Sequence, residues 1–214
     1  MTTNYLTPTA ETYGGLDRAF THFNERLFES RLPEVMFTVH RKRGARGYFW
    51  AEQFHVKDMD DKLDEIALNP ESMGREIEEV LSTLVHEMTH LEQQHYGKPG
   101  KGGNHNREWG TLMDRVGLTP TSTGLPGGKR TGRKVTHMIV EDGPFAVACA
   151  ELVATGFDLQ YFTQAPEPSA KKKDLSKVPH ACPECSAKVW GKLGIRVYCG
   201  DCDAQMLPPE ETEE

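Results

Sequence analysis

Residues 77–109 read IEEVLSTLVHEMTHLEQQHYGKPGKGGNHNREW. Ile77, Val80, Leu81, Leu84, Val85, Met88 and Leu91 recur at i, i+3, i+4 and i+7, the rhythm of a helix with one apolar face. Ser72 is the expected N-cap, and Gly97 with Pro99 ends the helix. Within it stands His86-Glu87-Met88-Thr89-His90, an H-E-x-x-H pattern. At about 100° per residue, histidines four apart project about 40° from each other, on one face. Both imidazoles can then reach one tetrahedral Zn²⁺, with the intervening carboxylate beside a bound water. Taking Ile77, Leu81, Leu84 and Met88 as the core side places the histidines roughly opposite, near Ser82 and Thr83 and no lysine or arginine.

A catalytic zinc needs a third protein ligand and an open position. His105 is the expected ligand, because the Gly-rich loop before it can turn the chain back toward the metal. His95, on a continuing helix, points about 140° away from His90. Glu108 would complete a two-His, one-Glu set, but is expected instead to orient a ligand or the start of the next helix.

Four of the five cysteines form two C-x-x-C pairs, Cys182/Cys185 and Cys199/Cys202, separated by thirteen residues. That spacing predicts a structural Cys₄ zinc ribbon, with short strands at 188–190 and 195–198. So short a module cannot bury enough apolar area to fold alone, so the metal supplies its folding energy. Cys149, in an apolar helix, is expected in the core.

Around these motifs, the chain divides into a loose arm (1–14), a main domain (15–163), a Pro/Lys/Ser linker (164–178), the cysteine module (179–207) and an acidic tail (208–214). Helices are expected at 16–31, 72–97, 106–116 and 143–156. Strands are expected at 35–40, 47–54, 65–68, 135–140 and 157–162, and residues 119–134 read as a surface loop. The class is α+β, with a core at 15–118 and an accessory strand-helix-strand at 135–162.

The chain has 214 residues and a net charge of −7. Its longest unbroken apolar run is Phe145–Ala150, far too short for a membrane span. The N-terminus has no secretory pattern, so a reducing, cytoplasmic location is expected. The acidic balance argues against a protein that coats nucleic acid. Four of the acids lie in the last seven residues, however, and basic clusters stand at Arg41–Arg46, Lys129–Lys134 and Lys171–Lys177. Arg41, Lys42 and Arg43 are either solvated or a phosphate-contacting edge beside the cleft. Lys188, Trp190, Lys192 and Arg196 mix bases and aromatics that suit stacking on nucleic-acid bases, although Trp190 and Tyr198 alternatively pack the ribbon. His22, His40, His55, His137 and His180 are expected to be surface or structural residues rather than ligands.

HEMTH, the Gly-rich loop and His105-Asn106-Arg107-Glu108-Trp109 together resemble the SprT-like zinc metalloproteases, which include the Spartan proteases. The resemblance covers about residues 14–118. Asn106 departs from it by standing where the family has Gly. The later segment with Thr136-His137 and Gly143-Pro144-Phe145, followed by a cysteine module, is similar to bacterial and phage-type members. LEQQHYG lacks the Gly and His of the metzincin pattern. The resemblance implies a zincin-like core, with helices packed on a small sheet, and a substrate among DNA-associated or DNA-crosslinked proteins.

The expectation is a zinc endopeptidase carrying one catalytic and one structural zinc. His86, His90 and His105 hold the first, and Glu87 is the general base. Tyr96, His95 and Arg107 are candidate oxyanion stabilisers. The alternative is a non-catalytic zinc-stabilised adaptor binding nucleic acid or protein, its first site closed by a fourth ligand such as His95 or Glu108.

Overall fold

A computed structural model of the chain describes residues 6–164, 177–192 and 194–208. It is mixed α and β, in two compact units, Met1–Ala165 and Pro166–Glu214.

The first unit opens with α1, Pro8–Leu27. Residues 8–14, expected in a loose arm, are therefore helical. Thr7 caps the helix by accepting from the Ala10 N–H, and Pro8 sits in its first turn, where a missing N–H costs nothing. This opening segment lacks apolar periodicity because it is largely exposed, whereas Leu16, Ala19, Phe20 and Phe23 are buried. The helix stops at Leu27, and Glu29 and Ser30 turn the chain with positive φ.

β1 (Val35–Val39), β2 (Gly47–His55) and β3 (Lys62–Leu68) form one sheet in the order β1-β3-β2. β1 runs parallel to the central β3 and β2 antiparallel to it, so β2 is an edge strand. A bulge between Trp50 and Phe54 is held by buried Asp64, whose Oδ1 accepts the Glu52 N–H at 2.7 Å.

α2 (Ile77–Tyr96) packs against this sheet. Ser72 does not cap it: that residue closes a short 3₁₀ turn, and the helix starts after Glu76. The helix is buried nearly all round from Val80 to Gln93, so its histidine face is covered rather than solvated. Close approach to the sheet depends on Gly47, where a Cβ would lie 2.9 Å from the Ala67 carbonyl and 3.1 Å from Thr83 Cγ2. α3 (Arg107–Arg115) packs on α2. The carboxylate of Glu92, only 1% exposed, ties the elements together by pairing with Arg31 beyond α1 and Arg115 on α3.

β4 (Leu118–Thr121) and β5 (Thr136–Ile139) form a second, two-stranded sheet. The start of the expected surface loop is thus a strand. The Thr/Pro composition hid it, but Leu118, Pro120 and Thr121 are buried, and a two-stranded sheet has only edges, where proline is tolerated. α4 (Pro144–Ala154) follows. Residues 157–162 are not a strand. They run irregularly with Phe157 and Leu159 in the core, and Thr163 donates to the Pro70 carbonyl. The core gathers Phe20, Phe23, Phe28, Ile66, Leu84, Met88, Trp109 and Phe145.

The second unit contains β6 (Val178–Ala181) paired with β7 (Lys188–Gly191), and β8 (Val197–Tyr198) paired with β9 (Gln205–Met206). Its small core is Cys182, Cys199 and Met206.

Candidate metal centre

His86 and His90 project from consecutive turns of α2, and His105 returns from the Gly-rich loop just before α3. One ring nitrogen from each lies within 4.8 Å of the others. Trp109 lies under all three, with ring centroids 4.9 Å from His86, 5.1 Å from His90 and 4.3 Å from His105. His90 is also nearly parallel to the Phe49 ring of β2, at 6.5 Å.

Burial is the main force on the protonation of this cluster. It drives His86 well below the usual imidazole range, with His90, His137 and His105 pushing the same way. His90 falls to about 3, from burial and then the His105 ring, and burial lowers His105 too. Three neutral imidazoles converging on one point form a donor set that fits a divalent nitrogen-seeking cation. Glu87 is 5% exposed, and burial raises its carboxyl to about 8, against the opposing Lys42 ammonium and Phe49 backbone N–H.

The fold explains how His105 arrives. Its N–H and C=O both pair with Gly132 at 3.0 Å, and its Nδ1 lies 2.9 Å from the Gly132 carbonyl. Gly132 holds φ +127°, a conformation that favours glycine. Asn106, the departure from the family pattern, is the N-cap of α3: its Oδ1 accepts from the Trp109 N–H at 2.9 Å and its Nδ2 donates to the Lys98 carbonyl. Such a cap contributes about 1 kcal/mol. Glu108 is not among the converging side chains. Its carboxylate accepts from the Lys98 N–H at 2.7 Å and from Gln93, fastening the glycine loop to α3. His95 pairs with Asp64 at 2.6 Å and the Tyr96 hydroxyl donates to the Arg31 carbonyl at 2.5 Å, so both are engaged away from the three histidines.

His137 is a structural residue, but one in contact with the cluster. Its Nδ1 is 3.1 Å from His86 Nδ1 and its Nε2 is 2.9 Å from Ser82 Oγ. No local pattern signals this contact, because β5 reaches α2 from 51 residues away in the chain.

In the second unit Cys182, Cys185, Cys199 and Cys202 bring their sulfurs within 4.8 Å of one another. The Cys185–Cys199 separation is 3.7 Å, too long for a disulfide and close to the edge of about 3.8 Å expected of a ZnS₄ tetrahedron. The Cys185 backbone N–H pulls Cys182 down to about 7, while the Cys185 side chain pushes Cys202 up to about 12. Four sulfurs this close cannot all ionise unless a cation lies among them. The donor set fits zinc.

The residues expected to meet nucleic acid fall in both units. Arg41, Lys42 and Arg43 lie in the exposed β1–β2 loop, with the Lys42 ammonium 4.0 Å from the Tyr48 ring centroid and 5.7 Å from that of Trp50. Lys188 and Trp190 stand two apart on one face of β7, and Lys192 and Arg196 are exposed. Trp190 is 63% and Tyr198 59% exposed, so neither is spent on packing its unit. In the second cluster Arg130 pairs with Asp114. The third cluster, apart from exposed Lys177, lies outside the described residues. No helix among the described residues is long and apolar enough to cross a membrane.

An uncharacterized protein in the mucB 3′ region of Salmonella typhimurium is 39% identical over 59 residues, 28% of this chain and 80% of that protein. No solved structure matches the chain. The SprT-like family profile matches residues 16–130, more than half of the chain, and takes in all three histidines and Glu87. That family is associated with metallopeptidase activity, and this chain belongs to it.

Proposed function

We propose that this chain is a zinc-dependent endopeptidase acting on proteins associated with or crosslinked to DNA. The observation that carries the reading is the convergence of three neutral imidazoles, with the buried carboxyl of Glu87 next to His86 on α2. His86, His90 and His105 hold the ion and leave a coordination position open. When bound there, zinc supplies Lewis acidity to water and to a scissile carbonyl. Glu87 accepts a proton and returns it to the departing amine nitrogen. A cation at the imidazoles favours its carboxylate form over the raised value set by burial. The outer edge of β2 suits an extended peptide, bound through main-chain hydrogen bonds.

The cysteine quartet is a structural zinc ribbon in this reading. Exposed Trp190 and Tyr198 with Lys188, Lys192 and Arg196 stack on bases and meet phosphates, and Lys42, whose charge reaches Glu87, adds a basic edge near the histidines. The adaptor alternative needs a fourth ligand to close the histidine site, and both of its candidates are engaged elsewhere.

The test is a metal count with a protease assay on a histone-like substrate, with and without single-stranded DNA. Two zinc ions per chain and DNA-stimulated, salt-sensitive cleavage are expected. Absence of cleavage refutes the endopeptidase reading, and cleavage indifferent to every DNA refutes the DNA-linked substrate.

A further inference from the structure

Hydrogen-bond logic around His137 assigns that residue a task in the metal centre. Ser82 Oγ lies 3.0 Å from the Glu79 carbonyl, which only accepts, so the Ser82 hydroxyl donates to it. The serine oxygen then receives its hydrogen bond from His137 Nε2, at 2.9 Å, and that nitrogen carries the proton. A neutral imidazole has one N–H, so His137 Nδ1 is the bare nitrogen. His86 Nδ1, 3.1 Å away, must therefore be the donor. The chain of donors runs His86 to His137 to Ser82 to Glu79 and leaves His86 Nε2 with its lone pair free.

The same hairpin performs the same service for His105. The Gly132 carbonyl can only accept, so His105 Nδ1 donates to it and Nε2 is left bare. Gly132 lies in the β4–β5 connection and His137 on β5. Both lie beyond residue 130, where the family match ends.

We infer that the β4–β5 hairpin, through His137 and Gly132, fixes the ligating tautomers of His86 and His105, with His137 a positioning residue for the metal. The inference rests on the metal-site reading above. It follows a general feature of imidazole ligands, whose second nitrogen is held by a partner that sets ring orientation and basicity.

The experiment compares full-length wild type, His137→Leu, His137→Asn and Ser82→Ala. Zinc is titrated against a chromophoric chelator, and the phase lost in His86→Ala marks the histidine site. His137→Leu should weaken that phase about 10–100-fold. His137→Asn keeps an acceptor near the Nδ1 position and should recover most of the loss, and Ser82→Ala should fall between. Imidazole ¹⁵N shifts of the metal-free protein supply the second readout. His86 should be the Nδ1–H tautomer in wild type and a mixture in His137→Leu, while His105 stays Nδ1–H and reports that the fold is intact. Unchanged zinc affinity in folded His137→Leu, or a His86 Nε2–H tautomer in wild type, overturns the inference. Wild type that binds no zinc outside the cysteine quartet instead overturns the metal-site reading, and the ¹⁵N shifts still decide the tautomer relay.

Discussion

Replacing Glu87 with glutamine separates what a buried carboxyl does for catalysis from what it does to stability. In the metal-free protein, burial raises its pKa from 4.5 to about 8. At pH 7 the unfolded chain gains by ionising this group while the folded chain keeps it protonated. The folded state binds more protons, so stability falls as pH rises from about 4.5 to 8. At 1.36 kcal/mol per unit over the interval from 4.5 to 7, the penalty at pH 7 is about 3 kcal/mol. Glutamine has the shape of the protonated acid and no ionisation to forgo. Chelator-treated Glu87→Gln should therefore be up to about 3 kcal/mol more stable than wild type at pH 7 and nearly equal to it at pH 4.5. Denaturant titrations at both pH values measure this, since the cysteine unit contributes equally to both proteins. With zinc restored the gain should shrink, because a cation beside Glu87 favours the carboxylate. The same variant should lose about 10²–10⁴-fold in cleavage, or about 3–5 kcal/mol of barrier, while retaining its zinc. A stability difference that does not change with pH would refute the buried-acid argument. Cleavage at the wild-type rate would refute the base assignment.

His105→Ala should lower zinc by one ion per chain in elemental analysis, and Cys182→Ser with Cys199→Ser should remove the other; retention of both by His105→Ala contradicts the ligand set. In metal-free Glu87→Gln, His137 held at about 4 and His90 at about 3 should make stability fall as pH drops below about 6.5. For such depressed histidines the unfolded chain takes up protons first, with about 3 kcal/mol lost through His137 alone by pH 4; a flat profile refutes it. Glu92→Gln should cost about 1–2 kcal/mol in denaturant unfolding, at the low end for charged hydrogen bonds because Arg31 and Arg115 are partly exposed and rehydrate. No measurable loss would mean that Glu92 does not tie α2 to its neighbours. Cys149, 2% exposed and pushed up to about 11, should resist alkylation at pH 8 until the chain unfolds; rapid labelling of the native protein contradicts its burial.

Much of the centre was legible in local spacing. An H-E-x-x-H on a helix places two imidazoles on one face whatever surrounds it, because the backbone's own period does the placing. Two C-x-x-C knuckles likewise specify a sulfur cluster. The apolar rhythm located α2 and α3, and the alternation of Val35, Phe37 and Val39 located β1. Local pattern misleads where it and tertiary burial disagree. The first turns of α1 show no apolar stripe because they face solvent. β4 looked like a loop because of its Thr and Pro, and Phe157–Phe162 looked like a strand because its apolar residues enter the core without a partner strand.

The sequence by itself determined which residues can ligate and on which helix they stand, since that information is carried within a few residues. Only the tertiary structure decided how those side chains are held. His105 reaches the cluster because Gly132 anchors both its backbone and its ring. Trp109 and Phe49 close round the rings from α3 and β2. His137 meets His86 across 51 residues of chain. Contacts at such separations depend on how whole elements pack, and no periodicity or spacing in the chain encodes which atom of a distant ring will face which nitrogen.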